Sequence, residues 1–181
     1  MRKDFPVHRL DVKAFAQESG ELSGEDRVGA HSRLVAETHG RATELPVAWE
    51  ARGELRNSQH VHPQVWMHLR ASTSLSLLCQ RCLAPVTVGV SVDRSFRFVP
   101  DEQTAAAEDE QSEEDVLALT PSFDLMELIV DELLMELPVA PRHEVCPEPV
   151  PMSVADREAL EEPAARENPF ALLRGLKSGK A

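Results

Sequence analysis

The chain has 181 residues, 42% of them hydrophobic, enough for one domain with a real core, but aromatics are only 4% and tyrosine is absent. That core must therefore be built from Val, Leu, Ala and Met. Three cysteines exclude a disulfide framework, and the net charge of −12 argues against non-specific nucleic-acid binding. The charge is uneven: residues 1–100 carry 13 Lys+Arg against 11 Asp+Glu (net +2), and residues 101–181 carry 6 against 20 (net −14). Met1–Pro6 shows no apolar core of a secretion signal, and no run approaches the length of apolar sequence that crosses a membrane. A soluble protein of the reducing cytoplasm is expected.

In chain order, Phe5–Val12 is expected as an edge strand, Lys13–Glu18 as a short helical turn, and Arg33–Glu37 as a further early strand. Period-two alternation then dominates. Val47, Trp49, Ala51 and Leu55 alternate with charged residues; Val65, Met67, Leu69, Ala71, Leu75 and Leu77 alternate with Trp66, His68, Arg70 and serines. Val86, Val88, Val90 and Val92 set a third phase that Phe96 and Phe98 continue. One apolar face with period two marks half-buried antiparallel strands, so 45–100 is predicted to form a meander of long strands with turns at Asn57–Gln59 and Cys79–Pro85.

Asp101–Asp115 holds eight acids and no apolar period, and is read as a mobile acidic loop, after which Val116–Leu119 re-enters the sheet. Leu125, Leu128, Ile129, Leu133 and Leu137 recur at spacings of three and four, predicting a helix over about 123–137, capped by Ser122 or Asp124 and stopped by Pro138. The expected class is α+β, an antiparallel meander packed by that helix. Residues 1–150 would form the core domain. Residues 151–181 would form a Pro-rich, acidic linker and a tail helix over Asn168–Lys177, with a short exposed helix at Ser153–Glu162.

Two constellations carry chemistry. Cys79-Gln80-Arg81-Cys82 lets two thiolates reach one ion from a tight turn, and His143-Glu144-Val145-Cys146 supplies two further corners of a Cys3His tetrahedron. Structural zinc on Cys79, Cys82, His143 and Cys146 stands beside two other readings: thiols packed as small hydrophobes, and a redox CxxC. The last usually opens a helix, whereas this one follows a strand and precedes Pro85. The second constellation is basic and aromatic. Arg70, Arg81, Arg94 and Arg97, with Trp66 and His68, fall on or beside the strands and form a candidate RNA-binding face, since guanidinium forks suit phosphate and an exposed aromatic stacks on an unpaired base. An ordinary solvated sheet face is the competing reading. No GxSxG, Gly-rich phosphate loop or HExxH is present, so no enzyme is expected.

The CQRC turn after a strand, the helix ending Leu137-Pro138-Val139-Ala140-Pro141, His143 and Cys146, and the tail Asn168-Pro169-Phe170-Ala171-Leu172-Leu173 occur in an order that resembles the YceD family, the large ribosomal RNA subunit accumulation proteins. The resemblance runs over about residues 5–177. It implies a non-enzymatic accessory of ribosome biogenesis that supports synthesis, processing or stability of 23S rRNA. Its expected partners are that RNA or a large-subunit precursor and, through a frequent gene neighbourhood, ribosomal protein L32. The alternative is an acidic adaptor for a basic ribosomal protein such as L32, without RNA contact.

Overall fold

Three long strands follow one another through two hairpins and set the frame for everything else. A computed structural model describes residues 5–61 and 63–148. Strand β1 is Glu21–Arg27, β2 Pro46–Arg56, β3 Gln64–Leu78, β4 Pro85–Val99 and β5 Asp115–Ala118, and the sheet order is β1-β2-β3-β4-β5. The first four strands are antiparallel; β5 lies parallel to β4. The helices are α1 (Val12–Gln17), α2 (Ser32–Thr38), α3 (Glu102–Asp109) and α4 (Leu125–Met135). The α+β meander packed by a helix is thus present.

Alternation sorts the two faces. Val47 and Ala51 of β2, Val65, Met67, Leu69, Leu75 and Leu77 of β3, and Val86, Val90, Val92, Phe96 and Phe98 of β4 are buried together with Leu125, Ile129 and Leu133 of α4. Asp124 caps α4: its carboxylate accepts from the amides of Met126 (3.0 Å) and Glu127 (3.1 Å), satisfying donors that have no partner inside the helix. Met126 and Val130 are buried beside the expected stripe, because a helix lying on a sheet covers a wider arc than a coiled-coil seam. Phe15 of α1 fills the space over two glycines: a Cβ on Gly53 would meet Phe15 Cδ1 at 2.8 Å and the Ala16 backbone at 2.9 Å.

Three expectations are corrected. Arg33–Glu37 is helical, within α2, where Leu34 and Thr38 are buried; the additional strand is Glu21–Arg27, whose single apolar residue, Leu22, leaves no alternation to read. Phe5–Val12 is not a strand. Val7–Arg9 forms a 3-10 turn, and Leu10 alone bridges Phe123 through paired backbone hydrogen bonds of 2.8 and 3.2 Å. The acidic segment 101–115 is not a loop throughout, because α3 occupies Glu102–Asp109. The reason is topological. Strand β5 joins β4 in parallel, and a parallel neighbour requires a crossover connection, usually helical. Asp101 caps α3 by accepting from the Thr104 amide (2.8 Å), Asp109 accepts from the Val116 amide (3.1 Å), and Ala105 packs on Val99, Val116 and Ala118. The expected helices at 153–162 and 168–177 lie outside the described residues.

Packing at Gly53 is directly testable. Gly53→Ala should lower stability by about 1–3 kcal/mol in denaturant melts, as overpacking does. Gly89→Ala, where an added Cβ meets nothing within 4 Å, should be neutral or slightly stabilising.

Candidate metal centre and the basic face

The β3–β4 hairpin turn builds half of the first site. The Cys79 amide donates to the Ala84 carbonyl (3.0 Å) and the Leu83 amide donates back to the Cys79 carbonyl (2.8 Å), closing the loop over Gln80–Cys82. Leu83 adopts φ +60°, a left-handed conformation costly for a branched side chain, and is 72% exposed. The segment after α4 supplies the other half. Prolines keep it extended, and the Gln80 amide donates to the Pro141 carbonyl (2.8 Å), tying it to the turn.

These two halves bring together all four residues nominated as ligands. One donor atom from each of Cys79, Cys82, His143 and Cys146 lies within 4.8 Å of every other, so the group could hold a metal ion. Cys79 Sγ is 4.0 Å from Cys146 Sγ, and Cys82 Sγ is 3.4 Å from His143 Nδ1. Ligands at the corners of a zinc tetrahedron with Zn–S near 2.3 Å stand roughly 3.8 Å apart, so the spacing fits. The His143 ring is oriented for the task. Its Nε2 donates to the Pro85 carbonyl (3.0 Å), which can only accept, and in the neutral ring this turns the Nδ1 lone pair toward the sulfurs.

Arg81 completes the site. Its Nε donates to Cys146 Sγ (3.0 Å) and its Nη2 to the His143 carbonyl (3.1 Å). Zinc with three thiolates and one imidazole carries net −1, and the guanidinium sits where it offsets that charge. The thiols are unequal. Burial opposes the Cys79 thiolate, but the amides of Cys82, His143 and Arg81 outweigh it and bring Cys79 down to about 5. At Cys82 the Ala84 amide favours the thiolate, yet burial and the sulfurs of Cys146 and Cys79 leave the thiol raised.

The six basic and aromatic residues are not gathered into one exposed face. Arg70 pairs with Asp93 (3.0 Å), and His68 Nε2 lies 2.7 Å from the same carboxylate. Arg97, 14% exposed, pairs with Glu108 of α3 at 2.5 Å. Trp66 is 4% exposed; Arg56 lies over its ring at 3.9 Å, and its indole N–H donates to Gln64 (3.2 Å). Arg94 shares the parity of the buried valines of β4, so it points to the helix side, where it meets Glu132 (3.4 Å), Glu136 (3.1 Å) and Asp115 (3.6 Å). Arg81 belongs to the cysteine site. Sequence reasoning missed these carboxylate partners, although the even numbering of Arg94 beside Val92 and Phe96 was a readable sign of its direction.

Glu132 is the one acidic side chain of α4 that is buried. Burial raises its pKa, only partly offset by Arg94, with Asp115 and Glu136 adding repulsion. Because its folded pKa lies above the unfolded value, its contribution is fully present below the unfolded value and fades as pH rises through the folded one. Glu132→Gln should therefore raise the melting temperature at neutral pH and flatten its dependence on pH in the acidic range. Arg94→Ala should cost of order 3 kcal/mol, because it strips a buried carboxylate of its counter-charge.

A family model for the large ribosomal RNA subunit accumulation protein YceD matches residues 67–177, more than half of the chain and inclusive of all four cysteine-site residues. No solved structure matches. Among the described residues, no helix is long and apolar enough to cross a membrane.

Proposed function

The chain belongs to the YceD family of large ribosomal RNA subunit accumulation proteins, and from that premise we propose a non-catalytic accessory of large-subunit biogenesis that supports 23S rRNA through contact with a basic ribosomal protein. L32 is the first candidate for that partner. One observation carries the choice of protein over RNA. Each strand arginine nominated for phosphate is neutralised by a carboxylate of the fold itself. Around the α4 end and the crossover the balance is reversed: Glu102, Glu110, Glu113, Glu114 and Glu127 have no cationic partner among the described residues. A phosphate backbone would have to displace the partly buried pairs of Arg94 and Arg97 as well as the exposed Arg70–Asp93 pair, and would then meet this negative field; a lysine-rich ribosomal protein is attracted by it.

The cysteine site supports this role from the scaffold side. Zinc at Cys79, Cys82, His143 and Cys146 would clip the end of the β3–β4 hairpin to the segment after α4. With four protein ligands, such a centre has no open position for substrate and is structural.

Two experiments test these statements. Replacing Glu110, Glu113 and Glu114 by Gln should reduce rescue of 23S rRNA levels in cells lacking the protein, whereas Arg70→Glu, at an exposed position, should leave rescue nearly intact. The reverse pattern would restore direct RNA contact through the sheet. Protein purified without added metal should contain about one equivalent of zinc, and less than a tenth would refute the clip. Cys146→Ser should lose the metal together with the stabilisation it confers, about 4 kcal/mol when free zinc is about 1,000 times its Kd.

A further inference from the structure

Strand β1 is an edge strand. Strand β2 occupies one side of it, and no described residue pairs with the other. The register tells which backbone groups face outward. The Gly53 amide donates to the Gly20 carbonyl and the Val28 amide to the Leu45 carbonyl, both at 2.9 Å, which marks the even-numbered positions as those bonded to β2. In an antiparallel pair the alternate residues turn both N–H and C=O away. Glu21, Ser23, Glu25 and Arg27 therefore present their backbone groups to the open side, and all four are exposed.

Natural sheets blunt such edges with charged side chains, above all lysine, with proline, with bulges or with very short strands. Strand β1 has no proline, lysine or bulge and keeps seven consecutive residues in register; its charges are three carboxylates and Arg27, which oppose an acidic strand but not a basic one. The opposite edge, β5, is only four residues long and packs against α3.

A surface concavity flanks each end of β1. Glu18, Glu21 and Glu50 line the first, beside the apolar Phe5 and Leu22; Glu25, Asp26 and Glu44 line the second. Against these six carboxylates stand Arg27 and Arg52, and Arg52 is already held by Glu50 (2.5 Å) and Glu21 (3.6 Å).

We propose that β1 is a docking edge for an extended polypeptide segment rich in lysine or arginine, which adds as a sixth strand. Main-chain bonds to Glu21, Ser23, Glu25 and Arg27 supply affinity, and alternate side chains supply selectivity. Basic residues on the open face meet Glu21, Glu25 and Glu50; apolar residues on the other face meet Leu22 and Phe5. The preferred ligand thus alternates basic and apolar residues. The edge lies outside the matched family stretch, which begins at residue 67. The inference goes beyond the ribosomal reading and stands without it.

The test uses the full chain and a fluorescent peptide alternating lysine and valine, with binding followed by anisotropy at low salt. Ser23→Pro deletes one outward amide and leaves the ladder to β2 intact, since proline is tolerated where the N–H faces solvent. It should weaken binding by roughly tenfold or more, the loss of a main-chain bond together with strand continuity. Glu25→Lys, which leaves the backbone unchanged, should do the same, and it decides the matter should Ser23→Pro fail to fold. An isotope-labelled peptide should show β-sheet amide absorption when bound. The proposal is overturned if the peptide does not bind, or if both variants bind it as wild type does. Loss of binding on replacing Glu110, Glu113 and Glu114 by Gln, with Ser23→Pro silent, would place the peptide on the crossover segment. Conversion of a wild-type dimer to a monomer by Ser23→Pro would assign the edge to self-association. Either result overturns the proposal.

Discussion

The pairing of β3 with β4 is the constraint from which the rest of the molecule follows. Two strands of 15 residues run antiparallel without a bulge from Val65 opposite Phe98 to Leu78 opposite Pro85. Because side chains alternate strictly along each strand, this one register decides which residues meet α4 and which meet solvent. It also fixes where the hairpin turns, and hence where Cys79 and Cys82 stand. A slip of one residue would expose Met67, Leu69 and Phe96 and carry Cys79, fully buried, out of reach of Cys146.

The two ends of this hairpin are held by different chemistry. At the turn end, the Gln80 amide and Arg81 hold the segment after α4 against the cysteine turn. At the far end, the crossover through α3 returns the chain to β5, and Arg97–Glu108 ties that helix down. Between them, Arg94 spans from β4 to α4 and answers Glu132. Arg94 and Arg97 thus act as internal counter-charges. That redistribution leaves the crossover and the exposed side of α4 as one negative surface of the described fold, beside the carboxylates that flank β1.

Much of the candidate site was legible early. Cys79 and Cys82 at i and i+3 in a turn, with His143 and Cys146 at the same spacing, needed no geometry to nominate, because ligand chemistry restricts both residue type and spacing. The direction of Arg94 and the carboxylate partners of Arg70 and Arg97 were not legible in the same way. Counting arginines near strands ignores parity, which would have turned Arg94 inward, and it cannot see Asp93 or Glu108, whose proximity depends on register and on a helix the sequence pattern hides. The segment 101–115 shows why. Three alanines and eight acids carry almost no hydrophobic period, so α3 exists because parallel pairing of β5 demands a crossover, not because its own sequence insists on a helix.

The sequence by itself determined the long strands, the main helix, the four candidate ligands and the family, since each rests on local periodicity or on residue identity; the choice of Asp124 over Ser122 as the cap came from the structure. Only the tertiary structure decided that Glu21–Arg27 is a strand, that Arg33–Glu37 is not, that the ligands meet within 4.8 Å, and that Arg70, Arg94 and Arg97 are already engaged. The physical reason is shared by the strand, the ligand cluster and the arginine pairs. Each is a pairing between residues brought together by the fold, and such a pairing has no periodicity to announce it; it exists because tertiary register places the two partners side by side.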